Sequence, residues 1–176
     1  KLAQQWILDY DLVAKPVLEI GCGNGDFLEV FASRGSLCTG YDPSYSKNSI
    51  NSNNVVIFDR YFDPKNDLIK SFQVIIMRHV AEHIVDVNNF ILDLRVNINK
   101  MNINPILFVE VPNIQPTLDK QRINDFVHEH ISYFSEDTLR YLMESTGYSV
   151  LNLYETFNGE NLVVICRAKK ILNISN

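Results

Sequence analysis

Apolar runs of strand length alternate along this chain with stretches whose apolar residues recur at helical spacing. Residues 17–20 form a short apolar run ending at a glycine, and 26–34 follow with Phe27, Leu28, Val30 and Phe31 in helical register. Residues 37–41 and 54–58 read as further strands, and 72–77 as the fourth and most hydrophobic. A helix is predicted over 86–98, with Val87, Phe90, Ile91, Leu94 and Ile98 in period. The fifth strand, 106–111, stops at Pro112, which has no N–H to give a sheet ladder. Continuously apolar strands separated by helices predict a parallel sheet covered on both faces.

The last third is patterned differently. Residues 113–134 are mixed in polarity and without period, and a loop of that length in a compact domain is usually functional. Ser135 has the features of an N-cap, with Glu136 and Asp137 in the first turn, and Gly147 stops the helix that it opens. Two strands close the chain, 148–154 and 161–168, with the hairpin signal Asn158-Gly159 between them. The expectation is an α/β sheet, mostly parallel, ending in an antiparallel pair.

Composition narrows the class. The chain has 176 residues, 46% hydrophobic and 21% charged, the proportions of an ordinary globular domain. No apolar run approaches the ~20 residues of a membrane span, so no membrane partner is expected. The net charge is −5, and no basic cluster exceeds Lys169-Lys170, which argues against a nucleic-acid partner. Three widely spaced cysteines, Cys22, Cys38 and Cys166, read as buried thiols in a reducing cytoplasm. The opening residues carry no signal-peptide profile, and a start at Lys1 is expected of a domain trimmed from a longer chain.

Chemistry enters at Glu19-Ile20-Gly21-Cys22-Gly23-Asn24-Gly25-Asp26, where a strand runs through three glycines into a helix. Glycines there permit a tight turn and let a ligand touch the backbone. The dinucleotide fingerprint G-x-G-x-x-G is missed, because Asp26 stands where its last glycine belongs. Glu19 and Asp26 would repel a pyrophosphate and suit a ligand carrying an ammonium and a sulfonium, which favours S-adenosylmethionine over NAD. Asp42, at the end of the next strand, is placed to accept from ribose hydroxyls. The following strand ends at Asp59-Arg60-Tyr61-Phe62, where an aromatic ring can stack on adenine and Asp59 can accept from its amino group.

Residues 17–42 resemble the cofactor motif of class I S-adenosylmethionine-dependent methyltransferases, and the element order from Val17 to Ala168 is similar to their seven-stranded Rossmann-like sheet. The resemblance implies cofactor contacts at Glu19, Gly21, Cys22, Gly23, Gly25, Asp42 and Pro43, with Asp59, Tyr61 and Arg78 completing the set, in a single domain over 1–176.

The four histidines fall into two groups, Arg78-His79-Val80-Ala81-Glu82-His83 and Val127-His128-Glu129-His130. Three readings compete. His79-Val80-Ala81-Glu82-His83 matches the H-x-x-E-H pattern of a zinc hydrolase, with Glu129 or His130 as third ligand, but that pattern needs a helix and His79 directly follows a strand. His83 and His128 suit structural roles, donating to backbone carbonyls. The third reading is catalysis, because both groups lie beyond the carboxyl ends of the strands, where ligands bind in open α/β sheets. The segments Arg78–Ile84, Glu110-Val111-Pro112-Asn113 and His128-Glu129-His130-Ile131-Ser132-Tyr133-Phe134-Ser135 resemble sugar C-methyltransferases acting on nucleotide-linked keto sugars. That likeness implies a nucleotide-sugar acceptor, His130 as general base assisted by Glu129, and His79 or Arg78 at the oxyanion. No metal is assigned. O-methylation of a small molecule or polysaccharide precursor, an NAD-dependent oxidoreductase and a non-catalytic cofactor-binding module are the alternatives.

Overall fold

The computed structural model describes residues 1–46, 52–67, 69 and 71–169. Lys170, the second member of the basic pair, lies outside them. Seven strands form one sheet: β1 (Val17–Ile20), β2 (Cys38–Tyr41), β3 (Val55–Phe58), β4 (Val74–Arg78), β5 (Ile106–Pro112), β6 (Tyr148–Thr156) and β7 (Asn161–Ala168). Their order is β3-β2-β1-β4-β5-β7-β6. The first five are parallel, and β7 runs antiparallel to both β5 and β6. The fold class expected from the sequence is the one observed.

The unbroken hydrophobicity of the central strands has a direct cause. Ile75, Met77, Leu107, Val109 and Val111 enter the core on one face, and Val74, Ile76, Ile106 and Phe108 enter the core on the other. Helices α2 (Asp26–Ala32), α3 (Val87–Lys100) and α5 (Glu136–Ser145) cover these faces, their bounds within a turn of those expected. Ser135 caps α5 by accepting from the Thr138 amide, and the Thr138 hydroxyl accepts in return from the Ser135 amide.

Two elements escaped the sequence reading. Helix α1 (Leu2–Asp9) lies where no helix was expected, and Trp6 fixes it. Its indole is fully buried, stacks on Phe108 with ring centroids 4.4 Å apart, and donates to the Tyr154 hydroxyl at 2.7 Å. Within the 113–134 stretch a short helix, α4 (Gln115–Asp119), forms with Pro116 in its first turn.

The chain runs outward from β1 through β2 to β3, then returns to β4 on the other side of β1. The crevice beyond the carboxyl ends of β1 and β4 is therefore the topological switch point. Among the described residues no helix is long and apolar enough to cross a membrane.

Candidate active site

The turn between β1 and α2 opens the crevice. Gly21 (φ +72°) and Gly23 (φ +54°) adopt left-handed backbone, for different reasons. A Cβ on Gly21 would lie 2.2 Å from the Val80 side chain, so packing excludes one. A Cβ on Gly23 would meet nothing within 4 Å, so that backbone faces open space, as the approach of a ligand requires.

Glu19 ends beneath this turn, 2% exposed, with its Oε2 lacking any hydrogen-bond partner. Burial pushes its carboxyl up to about 8, with Asp42 and Glu110 adding to the rise and Arg78 opposing it. Arg78 is committed elsewhere: its Nε donates to Glu110 Oε2 at 2.6 Å, and its guanidinium lies 4.1 Å from the centre of the Phe27 ring. Glu19, Cys22, Gly23, Phe27, Arg78 and His79 wall a cleft of about 310 Å³. Burial also raises the Cys22 thiol to about 12, which makes it a passive wall. All three cysteines are buried and free.

A second cleft of about 370 Å³ shares Gly21 and His79 with the first and continues past Asp42 and Pro43 to Tyr61 and Phe62. Asp42 is held ready. Its Oδ2 accepts from the Gly23 amide at 2.7 Å, and Oδ1 accepts from the amide and hydroxyl of Ser44 at 2.8 and 2.6 Å. Burial alone would raise this carboxyl, but the bonds from Ser44 and Gly23 outweigh it and keep the group below the usual carboxylate range. Val80, Ile84 and Phe90 supply an apolar lining for this end that sequence reasoning missed, because β4 and α3 bring it from separate segments. Asp59 is exposed at the tip of β3 and does not line the cleft, whereas Tyr61 and Phe62 do.

The histidine groups meet at the mouth. His79 caps β4 in left-handed conformation (φ +53°), its amide donating to the Glu110 carbonyl at 2.9 Å. Its Nδ1 lies 3.5 Å from Glu82 Oε1, and Asn161 Nδ2 is 3.4 Å from its Nε2. The H-x-x-E-H pattern is thus no helical face: residues 81–83 form a single 3₁₀ turn after the strand tip. The 113–134 segment folds back over this turn. The amides of Ile131 and Ser132 donate to the Glu82 carbonyl at 2.8 and 3.1 Å, and His83 Nδ1 donates to the Glu129 carbonyl at 2.9 Å. His83 therefore fills the structural role considered for it, while His128 is exposed.

These bonds bring the His130 ring to 4.9 Å from that of His83. Glu129 is exposed, and the carboxylate beside His130 belongs to Glu82, which is 1% exposed with both oxygens lacking a hydrogen bond. A ligand atom from each of Glu82, His83 and His130 lies within 4.8 Å of the others. His130 also lines a cavity of about 360 Å³ with Asn113, Arg122, Tyr133, Glu160 and Asn161. The sequence signal for Glu82 was its place inside the histidine motif, and for Glu110 a lone charge in an otherwise apolar strand.

The switch point of this open α/β sheet thus carries a glycine turn, the pre-aligned carboxylate of Asp42 and the buried, unpartnered acid of Glu19. The chain belongs to the methyltransferase domain family, whose profile matches residues 3–153. It is 26% identical over 155 residues to the C-methyltransferase NovU of Streptomyces niveus, covering 84% of this chain and 36% of that protein. The chain thus spans about a third of the length of that curated relative. Among solved structures, the magnesium protoporphyrin IX methyltransferase of Synechocystis PCC 6803 with bound SAH superposes with a TM-score of 0.70 at 15% identity, over 96% of this chain and 80% of that one. The 1,6-didemethyltoxoflavin-N1-methyltransferase of Burkholderia thailandensis gives 0.70 at 13% identity, over 97% and 78%. These structural likenesses bear on the fold.

Proposed function

We propose that this chain is an S-adenosylmethionine-dependent methyltransferase whose acceptor is the carbon of a nucleotide-linked keto sugar. The observation that carries the cofactor assignment is the orphaned, buried Glu19 at one end of a continuous groove and the pre-aligned Asp42 at the other. The residues fit the group. Glu19 is an acceptor awaiting a cation, Gly23 leaves backbone open to contact, and Phe62, Ile84 and Phe90 offer an apolar bed for a base. S-adenosylmethionine, when bound, supplies an electrophilic methyl on a sulfonium.

The protein's own work is positioning and proton transfer. His130 lines the cavity next to the groove and takes the acceptor's proton. The buried Glu82 carboxylate, not the exposed Glu129, stands close enough to stabilise the imidazolium that forms. His79, shared by both halves of the groove, faces the developing oxyanion together with Arg78. The likeness to NovU supports carbon as the acceptor atom.

The test is methyl transfer from labelled S-adenosylmethionine to a panel of nucleotide-linked keto sugars and their hydroxyl counterparts. Label on carbon of a keto sugar supports the reading. Label confined to hydroxyl oxygens overturns it in favour of O-methylation.

A further inference from the structure

The cluster of Glu82, His83 and His130 has features that a proton relay does not require. Both Glu82 oxygens are buried without a hydrogen-bonding partner, a costly state for a carboxylate, and its polar neighbour outside the cluster, His79 Nδ1, stays at 3.5 Å from Oε1. His83 donates from Nδ1 to the Glu129 carbonyl, and a carbonyl can only accept, so Nε2 keeps the lone pair. A carbonyl fixing one ring nitrogen so that the other can ligate is the usual outer-sphere arrangement of metal-binding histidines. His130 adds a second imidazole within the same 4.8 Å.

We propose that Glu82, His83 and His130 bind one divalent transition-metal ion of the zinc type at the mouth of the active site. Two imidazoles and one carboxylate suit Zn²⁺ or Co²⁺, whereas Mg²⁺ and Ca²⁺ favour oxygen ligands alone. Bonds of ~2.1 Å set tetrahedral ligands ~3.4 Å apart, so the cluster contracts by roughly 1 Å on binding. Glu82 is fixed by burial and His83 by the Glu129 carbonyl, so rotation of the His130 side chain supplies most of that contraction. Three protein ligands leave an open coordination position. It lies between two spaces, because His83 lines the nucleoside cleft and His130 the neighbouring cavity. Of the ligands that the H-x-x-E-H pattern offered, His79 is outside the cluster and Glu82 takes its place, while His130 is the far-segment ligand that the sequence suggested.

The kinetic consequence rests on the base role proposed above for His130. The lone pair that takes a proton is the one that binds the metal, so occupancy silences the base. Metal-stripped protein is titrated with Zn²⁺ by calorimetry and with Co²⁺ by visible absorption. One ion per chain is expected, with Co²⁺ bands of histidine ligation. His83→Ala, His130→Ala and Glu82→Gln should each weaken binding ~10-fold or more, and His128→Ala should leave it unchanged. Because His83 is exposed, His83→Ala is the variant least exposed to folding artefacts, and circular dichroism checks each one. Absence of stoichiometric binding, or binding unchanged in His83→Ala, overturns the site. Methyl transfer to the keto sugar is followed in the same Zn²⁺ titration. Turnover that falls with occupancy supports both assignments. Turnover that holds or rises while the metal binds as expected keeps the site and removes His130 as base.

Discussion

At the residue scale the account turns on two carboxylates with opposite tendencies. Burial keeps Glu19 protonated up to about pH 8, while the bonds from Ser44 and Gly23 keep Asp42 ionised. A cationic ligand favours the ionised form of Glu19, so binding of S-adenosylmethionine should release a proton. Its affinity should rise with pH towards 8 and then level off, and calorimetry in buffers of differing ionisation enthalpy measures this directly. Glu19→Gln should abolish the dependence. Folding carries the reverse sign. The folded pKa of Glu19 lies above its ordinary 4.5, so its contribution is fully present below 4.5 and is lost as pH rises to about 8. Urea unfolding of wild type and Glu19→Gln at pH 5 and pH 8 checks that the difference lies in this window. Asp42→Ala removes a charged acceptor whose bonds contribute ~1.5–3 kcal/mol, so S-adenosylhomocysteine should bind ~10–100-fold more weakly while the protein stays folded. Both residues stand out in the sequence, Glu19 two residues before the glycine turn and Asp42 at the end of the next strand. Asp59 was expected at the adenine on the same logic of strand ends, yet its side chain is exposed and apolar groups from β4 and α3 line that space.

At the scale of elements, the strands were readable because β4 and β5 are buried on both faces and tolerate almost nothing polar. The two exceptions, Arg78 and Glu110, pair with each other, and Asn161 also donates to Glu110. Helix α1 was unreadable: eight residues with only Ala3, Trp6 and Ile7 buried, and Leu8 72% exposed, make a weak period. Tertiary contacts of Trp6 hold it in place. Trp6→Ala should cost ~3–5 kcal/mol in urea unfolding, and because Trp6 packs edge-on against Phe27 of the Glu19 cleft, S-adenosylhomocysteine affinity should fall with it. The 113–134 segment was recognisable as functional by its length, but its course was not. It is set by the Ile131 and Ser132 amides on the Glu82 carbonyl and by the Asn113–Phe134 bridge, contacts between segments that no local pattern encodes.

At the scale of the molecule, one crevice collects contributions from four of the seven strands or the turns that follow them, with Glu19, Asp42, Tyr61 and His79 at or just beyond strand ends, while Asn113, beyond a fifth, lines the neighbouring cavity. The division of labour along it yields a separable phenotype. His130→Ala should lower turnover ~100-fold or more while S-adenosylhomocysteine affinity stays within about twofold, a split that steady-state kinetics and calorimetry resolve. The central claim is the cofactor, and calorimetric titration of the chain with S-adenosylhomocysteine, with NADH as control, tests it most directly. The account predicts one-to-one binding of S-adenosylhomocysteine and no heat from NADH. Binding of NADH instead, or of neither, would contradict it.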